Sequence, residues 1–186
     1  MIDIFDAKTI WTIAHLLGVA IGAGGAYLGD VLFLSSVRDG VISHTEFSFL
    51  KRTGLFVWLG VGILTLSGAG LFFLDPSYYL GSSKFLAKVS IVVVIVINGV
   101  VFHLVHFKML QRLIGIELKT SQEFRRTSAT LFASGAVSVI SWTSALILGS
   151  LRSLPFSVSE ILSVYGILIG IGIVMAMLFR KRFLSR

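Results

Sequence analysis

Residues 10–34 read IWTIAHLLGVAIGAGGAYLGDVLFL, a run of 25 residues with no Lys, Arg or Glu, whose only histidine and only carboxylate are His15 and Asp30. At 1.5 Å per residue a helix of this length exceeds the roughly 30 Å hydrocarbon core of a bilayer, and it is too long for the apolar core of a signal peptide. It therefore reads as a retained membrane helix. Four further apolar stretches of spanning length follow, which places spans at about 9–35, 53–74, 85–107, 127–150 and 158–179. Backbone amides in hydrocarbon must be paired within their own segment. These runs lack the period-two alternation of barrel strands, so helices are expected.

Composition agrees. The 186 residues are 55% hydrophobic and 13% charged, with a mean hydropathy of +0.94. A soluble domain carries about 25% charged residues. The net charge of +7 sits beside apolar segments, where anionic headgroups are the nearest counter-charge, so a lipid bilayer and not nucleic acid is the expected partner. The fold class is all-α, one domain over residues 1–186, a multi-pass bundle of five transmembrane helices. A cell membrane, the prokaryotic plasma membrane, is the expected location.

Basic residues give the orientation. Arg38, Lys51, Arg52, Lys108, Arg112, Lys119, Arg125, Arg126, Arg180, Lys181, Arg182 and Arg186 follow the first, third and fifth spans, and only Lys8, Lys84, Lys88 and Arg152 lie on the other side. The positive-inside rule then puts the N-terminus outside and the C-terminus in the cytoplasm. The segment 108–119, KMLQRLIGIELK, reads as an amphipathic continuation of the third helix along the cytoplasmic interface.

There is no cysteine, so any cofactor must be held by His, Lys, Met, carboxylate or backbone. In the first span His15, Gly18, Gly22, Gly25 and Gly29 succeed one another at steps of three and four, forming a groove without side chains topped by a histidine. Such a groove suits either a flat macrocycle, with His15 reaching its iron, or the close approach of another helix. In the third span, KFLAKVSIVVVIVINGVVFHLVHFKML at 84–110, Lys88 lies near the outer end and His103 and His106 near the inner one. The fourth span carries a hydroxyl stripe at Thr127, Thr130, Ser134, Ser138 and Ser141, suited to a cofactor, a quinone or interhelical hydrogen bonds.

Depth sorts these groups into two levels. His15 and the pair His103 and His106 are separated by about 15–20 Å along the membrane normal, too far to share one iron. The outer level holds His15, Lys84, Lys88 and Ser141. The inner level holds Asp30, His44, Glu46, His103 and His106, a set able to ligate a non-haem divalent ion or to relay protons, with Asp30 paired to a histidine or arginine.

The W-T-I-A-H segment at 11–15, the Gly-rich first span, Lys88 and the closing histidines of the third span resemble the small haem-b membrane proteins around HemJ-type protoporphyrinogen oxidase, and the layout is similar to CopD-like domains. The likeness covers roughly residues 8–150 and departs from the family at Gly29-Asp30-Val31-Leu32-Phe33-Leu34 and in the fifth span. It implies haem b, with His15 as axial ligand and Lys88 at the second axial position or a propionate. Three functions are thus expected in turn: a b-type haem protein with redox activity on a membrane-soluble substrate of the porphyrinogen or quinol class; a metal-ion or proton transporter using Asp30, His44, His103 and His106; and a structural or assembly subunit, as a homo-oligomer or in a membrane complex.

Overall fold

The computed structural model describes residues 6–152 and 154–185. Its helices are α1 (Ala7–Asp39), α2 (His44–Leu74), α3 (Pro76–Leu80), α4 (Ser83–Val101), a π-helical turn (Phe102–His106), α5 (Phe107–Arg112), α6 (Gln122–Ser150) and α7 (Val158–Leu184), with no strand among the described residues. Taking α4 to α5 as one rod, five helices are long and apolar enough to cross a membrane. Each covers an expected span and extends beyond it at one or both ends, most of all α2, which begins nine residues before position 53. Their starts carry the hydroxyl and carboxylate caps that satisfy first-turn N–H groups: Asp6 accepts from Thr9, Ser82 from Phe85 and Ser121 from Phe124. Ser43 with Glu46 and Ser157 with Glu160 form reciprocal capping boxes.

The helices assemble as two units. The first is the antiparallel hairpin of α1 and α2, turned at Gly40, whose φ of 81° lies in the left-handed region that glycine adopts without strain. Along it the glycines of α1 lie directly against α2. A Cβ on Gly18 would stand 2.9 Å from the Leu64 backbone nitrogen, one on Gly25 would stand 3.0 Å from Phe56 Cβ, and one on Gly60 would overlap the backbone of Gly22. Between lipid-bathed helices there is little hydrophobic gain in association, so this backbone-to-backbone proximity supplies the dispersion energy that holds them.

The second unit is α4, α6 and α7. Asn98 of α4 and Ser134 of α6 form a two-way clasp, with Asn98 Nδ2 donating to the Ser134 carbonyl (3.1 Å) and Ser134 Oγ donating to Asn98 Oδ1 (2.9 Å). Ser141 spends its proton on the Val137 carbonyl, so the Tyr165 hydroxyl of α7 must be the donor in the 2.7 Å bond between them. Both contacts are interhelical uses of the hydroxyl stripe.

The units meet along α1 and α6. Trp142 covers Gly22, the Tyr27 hydroxyl donates to Thr143 Oγ1, and Phe33 meets Phe132 edge-on. At the end bearing most of the lysines and arginines, hereafter the basic end, the turn after α1 pairs with the chain after α5: Gly115 N–H donates to the Ile42 carbonyl and Leu118 N–H to the Gly40 carbonyl. This corrects the expected interfacial helix over 108–119, which ends at Arg112. Met109, Leu110, Leu113 and Leu118 are buried in a core with Val37, Ile42 and Phe124 instead of lying on the membrane surface. An amphipathic pattern cannot distinguish lipid from protein as the surface its apolar face covers.

The contact between Gly22 and Gly60 generates a stability prediction. Gly60→Ala should lower the unfolding free energy by about 3 kcal/mol or more, at or above the upper end of ordinary overpacking costs. Gly54→Ala, where an added Cβ meets open space, should change it by less than about 1 kcal/mol. Reversible unfolding in mixed micelles measures both.

Candidate ligand cleft between the two units

Because α1 and α2 are drawn so close together, α2 stands away from α4, and the two scarcely touch. The gap is a cleft of ≈ 510 Å³. Its floor is α1 (Gly25, Gly29, Asp30) and α6 (Leu131, Gly135, Ser138), and its walls are α2 and α4. Trp58 reaches across from α2 to Gly99 of α4, where an added Cβ would lie 3.5 Å from the indole. Leu55 and Trp58 on the rim are exposed, so the cleft opens sideways between α2 and α4, the direction in which a bilayer would lie. Lys51, Arg52 and His103 line its basic end.

At the bottom lies Asp30. Its Oδ2 is shut off from solvent and has no hydrogen-bond partner, and the Ser138 hydroxyl approaches the carboxyl from α6. The partner expected for Asp30, a histidine or a basic-end arginine, is not there. The only ion pair among the described residues joins Arg112 and Glu123 at the surface. Thr53, which also lines the cleft, donates to the Leu50 carbonyl and is satisfied. The π-helical turn lies at the basic end of the wall, where its extra residue shifts the register so that Phe102 and His103 line the cleft and His106 is buried. Such turns interrupt α-helices frequently at functional sites.

The other expected site residues are placed elsewhere. His15 is half-buried against α2: Ser67 Oγ gives its proton to the Ile63 carbonyl, so His15 Nδ1 carries the hydrogen in the 3.1 Å bond between the two side chains. Lys88 lies within electrostatic range of His15. Lys84 is turned away to cap the carbonyls of Leu151 and Arg152, and Ser141 is bonded to Tyr165.

The glycine groove does not fit a macrocycle. Gly18, Gly22, Gly25 and Gly29 face Leu64, Gly60, Phe56 and Thr53 of α2, with Trp142 also over Gly22, and the space a porphyrin plane would need along them is taken by helix backbone. The inner metal set does not assemble either. His44 is exposed at the start of α2, His103 is exposed and stacked on Phe107, and His106 is buried with neither ring nitrogen hydrogen-bonded. No group of three or more His, Asp or Glu able to hold a metal ion occurs among the described residues, whether His15, Asp30, His44, His103 and His106 are taken together or in part.

Comparison with protein-family models, with curated proteins and with solved structures finds no match.

The cleft combines a mostly apolar lining with a few convergent polar groups, the general form of a small-molecule site. Of its lining, the sequence pattern points to Asp30, His103, Ser134 and Ser138; Trp58 and Gly135 carry no such signal, because their importance lies in the space they bound and leave open.

Two predictions follow from this geometry. Asn98→Ala, which removes both bonds of the clasp with Ser134, should cost about 0.6–1.7 kcal/mol, the range of interhelical hydrogen bonds in membranes, measured by the same micellar unfolding. Protein purified from haem-replete cells should show no Soret band. A band abolished by His15→Ala would overturn the placement of α2 in the glycine groove.

Proposed function

We propose that this chain is a multi-pass membrane protein that binds a membrane-soluble small molecule in the cleft between its two helical units, with its basic end in the cytoplasm. The observation that carries the reading is Asp30, a lining residue of the ≈ 510 Å³ cleft between α2 and α4, whose carboxyl keeps one oxygen, Oδ2, without a hydrogen-bond partner. Ionisable groups inside a bilayer are expensive and are seldom found without a task. Ser138 of α6 approaches the Asp30 carboxyl but leaves Oδ2 without a partner, in contrast to the two-way clasp by which Asn98 and Ser134 hold their helices together.

The shape of the cleft suits an amphiphile. Its apolar body would lie between Leu55, Trp58 and Phe102, and its polar end would reach the level of Asp30, Asn98 and Ser138. Entry between α2 and α4 needs no passage through water. The reading keeps the hydrophobic small-molecule partner expected from sequence and routes no chemistry through haem or a metal ion.

The test uses the protein in lipid nanodiscs and the uncharged hydrophobic fluorophore 1-aminoanthracene. Its emission should rise and shift to the blue on binding, and Gly135→Leu, which fills the floor beside Asp30, should abolish the saturable change. An identical titration in that variant counts against the cleft. Orientation is checked separately with single cysteines introduced into this cysteine-free chain. A membrane-impermeant maleimide should label Ser77→Cys in intact cells and should label Thr120→Cys only after lysis. The reverse pattern would invert the proposed topology.

A further inference from the structure

We propose that the molecule taken by the cleft is a lipophilic organic cation, bound as the counter-ion of Asp30 in exchange for a proton. The inference rests on the cleft-binding reading above and names its ligand class.

It begins with the charges that face the cleft. From α1 there is Asp30 alone; α6 contributes only neutral groups, Ser134, Gly135 and Ser138. The wall formed by α4 and the π-helical turn contributes Asn98 and His103, and α2 contributes Lys51 and Arg52. None of the three basic side chains forms an ion pair with Asp30. All three are exposed and lie at the basic end, where water and salt screen them. The floor therefore carries one acid and no base. A carboxylate there needs a positive partner, and nothing in the described chain supplies one, so the acid either keeps its proton or takes a cation from outside.

The walls suit that cation. Trp58, Phe102 and Phe107 line the cleft, and aromatic faces attract a desolvated organic cation while tolerating varied shapes. A small hydrated inorganic ion is a poor fit: beside Asp30 the cleft offers too few oxygen ligands to replace its water shell, and no cluster of metal-ligating residues occurs among the described residues. Lateral entry past Leu55 and Trp58 also lets a membrane-partitioned cation reach Asp30 without crossing the basic rim.

The step balances simply. As the cation arrives, the Asp30 O–H bond breaks, water at the basic end of the cleft, beside the exposed Lys51, Arg52 and His103, takes the proton, and the carboxylate and cation form an ion pair. Proton and cation compete for one site, so affinity for the cation rises with pH.

Tetraphenylphosphonium is the probe, because it has no titratable proton and any proton released must come from the protein. In nanodiscs its affinity should increase with pH and binding should release protons to a weakly buffered indicator dye. Asp30→Asn, nearly isosteric, should weaken binding at least about thirtyfold at high pH, the scale for removing one partner of a buried charge pair, and should erase the pH dependence. His103→Gln should leave the pH dependence in place; if it is lost there, His103 and not Asp30 is the competing group and the assignment is wrong. Equal affinity in the native protein and Asp30→Asn would also overturn the proposal. Uncharged triphenylmethane separates this inference from the broader reading. If it competes with 1-aminoanthracene while tetraphenylphosphonium does not, the cleft binds neutral molecules and the cation inference falls. If neither competes and 1-aminoanthracene itself does not bind, the cleft-binding reading falls with it.

Discussion

The contact of Gly22 with Gly60 sets the geometry of this bundle. In water, two helices gain by burying apolar side chains. In lipid that gain is nearly absent, and what remains is close packing plus the requirement that each polar group find a partner. Removing side chains at Gly18, Gly22, Gly25 and Gly60 brings α1 and α2 together along most of their length. The second unit lacks such a glycine seam and instead uses discrete hydrogen bonds, Asn98 with Ser134 and Ser141 with Tyr165. The two units are joined mainly where α1 crosses α6.

The cleft is the complement of that arrangement. A hairpin narrowed by glycine cannot also fill the space beside α4, so α2 and α4 are left apart with Trp58 as the bridge. The same small residues that seal one interface open another. Gly29 meets Thr53 of α2 while lining the cleft, and Asp30, the next residue, stands at the cleft floor. The position of the carboxyl is thus tied to the packing of the hairpin through a single peptide unit.

Much of the architecture was legible in the sequence. The five spans follow from run length, because hydrocarbon thickness is a hard constraint and apolar composition reports it directly. Asp30 stood out for the same reason, as the carboxyl well inside a span. The segment 108–119 departs from its expected place because its apolar face covers Ile42 and Phe124 and not lipid, a distinction that depends on a contact between residues 40–42 and 113–118 invisible to local periodicity. The glycine stripe was read in two ways, and only the placement of α2 decides between them. The cleft was illegible for a deeper reason: an absence of contact between α2 and α4 leaves no pattern in either helix, and sequence periodicity describes surfaces that meet.

The hairpin also bears on how the molecule is made. All the contacts between α1 and α2 lie within the first 74 residues, so that unit can close while the remaining helices are still being synthesised. The three-helix unit forms from the rest of the chain, and the paired backbones of residues 40–42 and 113–118 tie it to a partner already in place. The cleft, which belongs to neither unit, is the last part of the molecule to exist. Until then Asp30 faces lipid on its open side, and the growing chain carries an uncovered acid in the membrane that only the arrival of α6 can shield.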